Sequence, residues 1–248
     1  MNEAIYIDIN CDVGEGIGNE NLLMPLVSSC NIACGGHAGD NNSMLAVAKL
    51  ANMHSVKVGA HPSYPDTDNF GRVSMKISSV RLIESIKNQL ANFASILKRE
   101  HIALNHIKAH GALYNDISSN SDLAKIFIKS IENYKDTAIL YVPYGSAIAE
   151  EAQKKRFKFV QEAYADRNYN IDLSLVSRLR SDAVISEPKR VLEHLVRMVK
   201  EKHILSQDGN KVYIEAETFC VHGDTPSAIE ILSYLTLELP KMNIYIKK

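Results

Sequence analysis

Short apolar, β-branched runs alternate along this chain with longer stretches whose apolar positions recur every three or four residues. The runs at 5–9, 30–33, 57–60, 104–109, 138–142, 158–163, 183–185 and 212–220 predict strands. The stretches at 43–54, 79–100, 122–134, 188–201 and 226–239 predict helices. In the longest of these, Leu82, Ile86, Leu90, Phe93 and Leu97 trace one apolar face. Start signals support three of them: Asn120-Ser121-Asp122, Glu187 before Pro188, and Thr225 before Pro226. A strand followed by a helix, repeated about seven times, predicts parallel β/α units. No Gly/Ser-rich linker or internal repeat interrupts the series, so the reading is one α/β domain over 1–248, built as a (β/α) barrel.

Polar residues then fall where the predicted strands end. The first strand leads into Asp12-Val13-Gly14-Glu15, the second into a glycine-rich segment carrying His37, and the third into His61-Pro62. Lys108-Ala109-His110-Gly111 ends the fourth, Glu162 and Asp166-Arg167 follow the sixth, and His222-Gly223-Asp224 follows the last. In a parallel barrel all strand C-terminal ends share one face, so these clusters are expected to converge on one pocket.

Each cluster carries a distinct chemistry. Asp12 and Glu15 sit in a glycine-rich turn, which on composition alone is as readily an exposed acidic loop. Its spacing is neither a dinucleotide fingerprint nor a P-loop, and no P-loop occurs elsewhere. His37, His61, His110 and His222 stand at strand ends beside glycine, alanine or proline. His54, His101, His194 and His203 fall in helical or connecting stretches and are expected to be exposed. The strand-end imidazoles can transfer protons or ligate a metal, and Asp12, His37 and His61 are candidate ligands, with spacing too wide to decide. Lys108 and His110, two apart on a strand, are expected to share a face. A cation at Lys108 would favour a neutral His110 ring, able to accept a proton. Arg72, Arg167 and Arg178 occupy loop-like stretches and suit a carboxylate or phosphate, although singly each is more often a structural ion pair, as Asp166-Arg167 is as a loop brace.

Composition narrows the class. Hydrophobic residues make up 46% of the chain, enough to fill a barrel interior. A net charge of -1 without a basic patch argues against nucleic-acid or membrane-surface partners. Met1 is followed by Asn2-Glu3-Ala4, and no long apolar segment occurs, so a cytoplasmic protein is expected. Cys11, Cys30, Cys34 and Cys220 form no Cys-x-x-Cys pair and read as small buried residues.

The strings INCDVGE (9–15), NIACGGHAGD (31–40), GAHPSYPD (59–66), FGR (70–72), KAHGALYN (108–115), ADRNY (165–169) and CVHGDTP (220–226) resemble the LamB/YcsF family. They run in order through nearly the whole chain. Against that family's commoner pattern, Ser63 and Asp182 stand for glycines and Val73 for a basic residue. The resemblance implies an irregular or seven-stranded barrel related to glycoside hydrolase and deacetylase barrels. It also implies an ATP-hydrolysing 5-oxoprolinase, opening the lactam of 5-oxoproline to L-glutamate with subunits B and C as partners. ATP would be the co-substrate, with Mg2+ in the complex. On this reading Asp12, Glu15, His37, His61, Lys108 and His110 are catalytic. Arg72, Asp166, Arg167, Arg178, His222 and Asp224 bind substrate. Two alternatives remain open: a metal-dependent, deacetylase-like hydrolase, and a non-catalytic carbohydrate- or lactam-binding subunit.

Overall fold

The computed structural model describes residues 3–248. In chain order the elements are β1 (Ile5–Val13), α1 (Glu20–Leu23), β2 (Ser29–Ala33), α2 (Asn41–Met53), β3 (Lys57–His61), α3 (Ser79–Arg99) and β4 (His106–Ile107). There follow α4 (Gly111–Ser119), α5 (Ser121–Ser130), β5 (Ile139–Pro143), α6 (Ala147–Lys154), β6 (Phe159–Tyr164) and α7 (Pro188–Glu201). The chain ends with β7 (His203–Leu205), β8 (Lys211–Tyr213), β9 (Thr218–Cys220), α8 (Ala228–Glu238) and β10 (Ile244–Ile246). Strands β1 to β6 run parallel in sequence order, β9 pairs with β6, and β9 pairs back with β1. The sheet therefore closes into a seven-stranded parallel barrel with helices around it. β10 runs beside the first residues of β1, and β7 and β8 form a separate antiparallel pair.

Period-two alternation sorts the two faces of each strand. On β1, Ile7, Ile9, Cys11 and Val13 enter the apolar layer between barrel and helices. The alternate residues Asp8, Asn10 and Asp12 make cross-barrel hydrogen bonds instead. Asp8 Oδ2 accepts from Ser29 Oγ at 2.6 Å and Thr218 Oγ1 at 2.9 Å, while Asn10 Nδ2 donates to Glu162 Oε1 at 2.8 Å. Asn31 Nδ2 donates to Asp12 Oδ1 at 2.7 Å, and the His106 ring stacks on Tyr141 with centroids 4.0 Å apart. The barrel axis is thus polar, a correction to the expectation that apolar residues fill it. A polar interior is tolerable where its members hydrogen-bond one another, as Asp8, Asn10, Asn31 and Glu162 do here. The apolar residues are spent outside the barrel, on faces such as Leu82, Ile86, Leu90, Phe93 and Leu97 of α3, all buried.

Other expectations shift locally. The run 104–109 contributes only His106 and Ile107 to the sheet. The run 212–220 breaks into β8 and β9, which belong to different sheets. Residues 183–185 form no strand: Val184 makes one bridge to Arg167, and Ala183 and Ile185 are apolar because they pack in the interior. The last helix begins at Ala228, two residues after Pro226. His194 is buried rather than exposed, tilted against Tyr169. The four cysteines are free and buried.

Candidate active site

Closure of the barrel brings the strand-end clusters to one face. Asp12 lies near the end of β1, His61 ends β3, His110 follows β4 as the N-cap of α4, and His222 follows β9. A cavity of about 650 Å³ opens there. Its lining includes Asp12, Glu15, His61, Arg72, His110, Arg167, Arg178, His222 and Asp224, nine of the twelve residues singled out from sequence. The other three, His37, Lys108 and Asp166, lie behind the wall and hold lining residues in place.

Glu15 is the hub of the floor. Its Oε1 lies 3.0 Å from His37 Nε2 and 3.3 Å from His110 Nδ1. The His37 and His110 rings stack with centroids 3.6 Å apart, and His61 meets His110 edge-on. Gly71 lets the loop close against these rings: it has φ +62°, and a Cβ there would stand 3.0 Å from His37 Cβ and 3.1 Å from His110 Cδ2. Burial pulls the His37 imidazole down to about 4, against the opposing Glu15 hydrogen bond. Burial also lowers His110, with Glu15 again opposing and His61 assisting. The expected effect of Lys108 on His110 is therefore replaced by burial and the neighbouring ring. For Glu15, burial alone would raise the carboxyl, but the His110 and His37 imidazoles beside it hold it well below the usual carboxylate range.

Lys108 has no exposed surface. Its Nζ lies 3.1 Å from Asp12 Oδ1, 2.9 Å from Glu162 Oε1 and 3.2 Å from Asn10 Oδ1. Burial would lower this ammonium, yet Asp12, Cys220 and Glu162 raise it well above its ordinary value. Asp12 shows the mirror image: burial raises it, and His61 and Lys108 together hold it well below the carboxylate range. Lys108 thus fixes Asp12 from beneath rather than reaching into the cavity.

The mouth carries the cations. Arg72 and Arg178 both pair with Asp224 Oδ2, the latter at 3.3 Å. Arg167 is tied to backbone instead: it donates through Nε to Ala183 O at 3.1 Å and through Nη2 to Val176 O at 2.5 Å. Asp166 accepts from His222 N at 2.9 Å, the His222 ring and Thr225 Oγ1, so it orients His222. The brace reading describes both of their contacts.

Several contributors escape a reading of the sequence. Asn10, Asn31 and His106 form the polar chain beneath Asp12, with His106 Nε2 2.7 Å from Asn31 Oδ1. Tyr114, which the sequence sets beside Lys108 and His110, donates to Glu162 Oε2 at 2.6 Å. For Asn10 and Asn31 the signal is the alternation of polar and apolar residues within β1 and β2, which is meaningful only once both faces are known to be buried.

Residues 7–248 match the LamB/YcsF family. The chain belongs to the LamB/YcsF family. It is 36% identical over 249 residues to the 5-oxoprolinase A-subunit of Staphylococcus carnosus (strain TM300), covering 98% of this chain and 99% of that one. The lactam utilization protein from Thermus thermophilus superposes with a TM-score of 0.91 at 31% identity, over 98% of this chain and 99% of that one. A family 18 chitinase from Pseudoalteromonas aurantia reaches a TM-score of 0.50 at 9% identity, over 92% of this chain and all of that one, a likeness of fold alone. Among the described residues no helix is long and apolar enough to cross a membrane.

Proposed function

We propose that this chain is the lactam-binding and ring-opening component of an ATP-dependent 5-oxoprolinase, working in the cytoplasm with subunits B and C. The observation that carries it is the stacking of two functions in one cavity. Arg72 and Arg178 stand at the mouth above a floor of Asp12, Glu15, His61 and His110, in a family whose full-length relative bears that name. Guanidinium forks suit the carboxylate of 5-oxoproline and the phosphate of an activated intermediate. Asp224 keeps the two arginines together until an anion takes its place.

A five-membered lactam is an unactivated amide. Transfer of the ATP γ-phosphoryl group to the amide oxygen, with ADP leaving, makes the carbonyl carbon electrophilic. Water then adds to that carbon while His110 or Asp12 accepts its proton. Cleavage of the carbon–nitrogen bond sends a proton to nitrogen and leaves an acyl phosphate. A second water hydrolyses it to L-glutamate and phosphate. The buried, acceptor-rich floor supports the proton-accepting role, and the arginines support the negative charge that develops. Mg2+ would accompany ATP in the complex, and this chain carries no P-loop to hold that nucleotide by itself.

The test is ATP-dependent glutamate formation by the purified chain, alone and reconstituted with subunits B and C. Turnover is expected only in the complex. Full turnover by the chain alone would overturn the division of labour, and none in a well-assembled complex would overturn the assignment.

A further inference from the structure

Four acceptor atoms meet at the cavity floor with no donor between them. His61 Nδ1 lies 2.8 Å from the Lys108 carbonyl oxygen, and His110 Nε2 lies 2.9 Å from the Phe70 carbonyl oxygen. A carbonyl only accepts, so each of these nitrogens carries its ring proton and donates. In the neutral rings His61 Nε2 and His110 Nδ1 are then bare lone pairs, and they stand 3.1 Å apart. Glu15 Oε1 lies 3.3 Å from His110 Nδ1 and 4.0 Å from His61 Nε2, and Asp12 Oδ2 lies 3.4 Å from His61 Nε2. Lone pairs gathered this closely repel one another unless a cation sits among them.

The charge balance around this point is a second, independent observation. Asp12, Glu15 and Glu162 are buried, and among the described residues Lys108 is the sole lysine or arginine that forms an ion pair with any of them. Three carboxylates share one ammonium, which leaves two formal negative charges inside the protein. Isolated buried charge is costly, and a bound cation is one of the few ways to hold it.

We propose that Glu15, His61 and His110 bind one divalent transition-metal ion, zinc or a close first-row neighbour, with an open coordination position facing the cavity. Their ligand atoms form a compact group. Bonds of about 2.0–2.2 Å at tetrahedral angles put ligand atoms roughly 3.3 Å apart, and the three separations here bracket that value. Two imidazoles and a carboxylate are donors that suit such an ion. The carbonyl partner on each outer ring nitrogen fixes both tautomer and ring direction, and His37 steadies Glu15 in the same way. The ligand trio suggested by sequence, Asp12, His37 and His61, is thereby revised: His37 turns to Glu15, and His110 takes its place. Asp12 remains beside the site, and with His110 Nδ1 on the ion it is Asp12, of the two acceptors named for the ring-opening water, that takes the proton. The inference goes beyond the lactam reading and stands or falls without it.

The test uses the full chain, freed of metal by a chelator and titrated with Zn2+ alone by calorimetry, with bound metal counted by mass spectrometry. One tightly bound equivalent is expected, lost in His61→Gln and in His110→Gln. His54→Gln, on the exposed end of α2, should keep it. Independently of any variant, X-ray absorption of the wild-type zinc form should show two imidazole ligands. Absence of stoichiometric binding to the folded wild-type chain would overturn the proposal and leave a shared proton as the cation. Stoichiometric binding that survives both substitutions, or a spectrum without two imidazoles, would overturn it equally. None of these readouts depends on ring opening, so failure here is distinguishable from failure of the 5-oxoprolinase reading.

Discussion

Lys108 joins Asp12, Glu162 and Asn10 through one fully buried ammonium. Removing one member of such a group leaves the others charged and unpaired, at a cost of about 3–5 kcal/mol. Lys108→Met is therefore expected to lower the unfolding free energy by about that amount in a urea titration. A loss under about 1 kcal/mol would show that the carboxylates are already neutralised by other means. His110→Ala is expected to leave the fold intact and to lower kcat of the reconstituted complex by about 10²–10⁴, because the Nδ1 lone pair is lost whether it accepts a proton or holds an ion. Wild-type turnover in a folded His110→Ala complex would return this ring to a packing role. At the mouth, Arg72→Lys and Arg178→Lys lose the bidentate fork and should raise KM more than they lower kcat. Unchanged kinetics in both would leave these arginines as a structural pair on Asp224. Lys108 and His110 are legible in the sequence because they end an apolar run, and Arg72 and Arg178 because a guanidinium in a loop-like stretch suits an anion. Asn31 and His106 are not, because a lone asparagine or histidine inside a strand reads as noise until its cross-barrel partner is known.

At the scale of elements, β3 and β4 interlock through a residue that has no side chain. The His106 ring occupies the space a Cβ at Gly59 would need, and the two residues are paired in register. Gly59→Ala must therefore displace His106 from Asn31 or push the strands apart. Overpacking of this kind costs about 1–3 kcal/mol, and loss of the His106–Asn31 bond should loosen Asp12 above it. The expected outcome is a lower unfolding midpoint in urea together with reduced turnover; wild-type stability would mean that the ring has another place to go. Legibility of the elements follows their length. The pattern marks the C-terminal end of α3 to within one residue because 21 residues repeat one apolar face. It misses α4 and α6, at 9 and 8 residues: one opens on Gly111, which signals a turn, and both are too short to establish a period. The run 183–185 fails for a different reason, since burial alone makes it look like a strand. No local pattern distinguishes an apolar segment that packs from one that pairs.

The whole molecule stores its response to acid in buried imidazoles. Burial draws His37 and His194 down to about 4 and His106 to about 3, from an ordinary value of 6.5. In the unfolded chain each ring returns to that ordinary value. Below it the unfolded chain binds protons that the folded chain refuses, so the unfolding free energy falls as pH falls. For the depressed imidazoles the loss begins near 6.5 and continues down to their folded values, each ring contributing up to about 1.4 kcal/mol per pH unit. Asp12 and Glu15, held below the carboxylate range, act in the same direction at lower pH. Their stabilisation is complete above the unfolded carboxylate value and is lost progressively from there down through their lower folded values. Lys108 is raised, so its own titration falls at alkaline pH, outside this window. The barrel should thus be stable near neutrality and weaken steeply from about pH 6.5 to about pH 4. Urea unfolding at a series of pH values, without added metal, measures this directly, and a flat profile would show that the buried rings are already protonated in the folded state. His194, which does not line the cavity, separates the contributions. His194→Gln should remove about one proton's worth of slope while leaving ring opening unchanged. An undiminished slope would place the acid response entirely in the barrel floor.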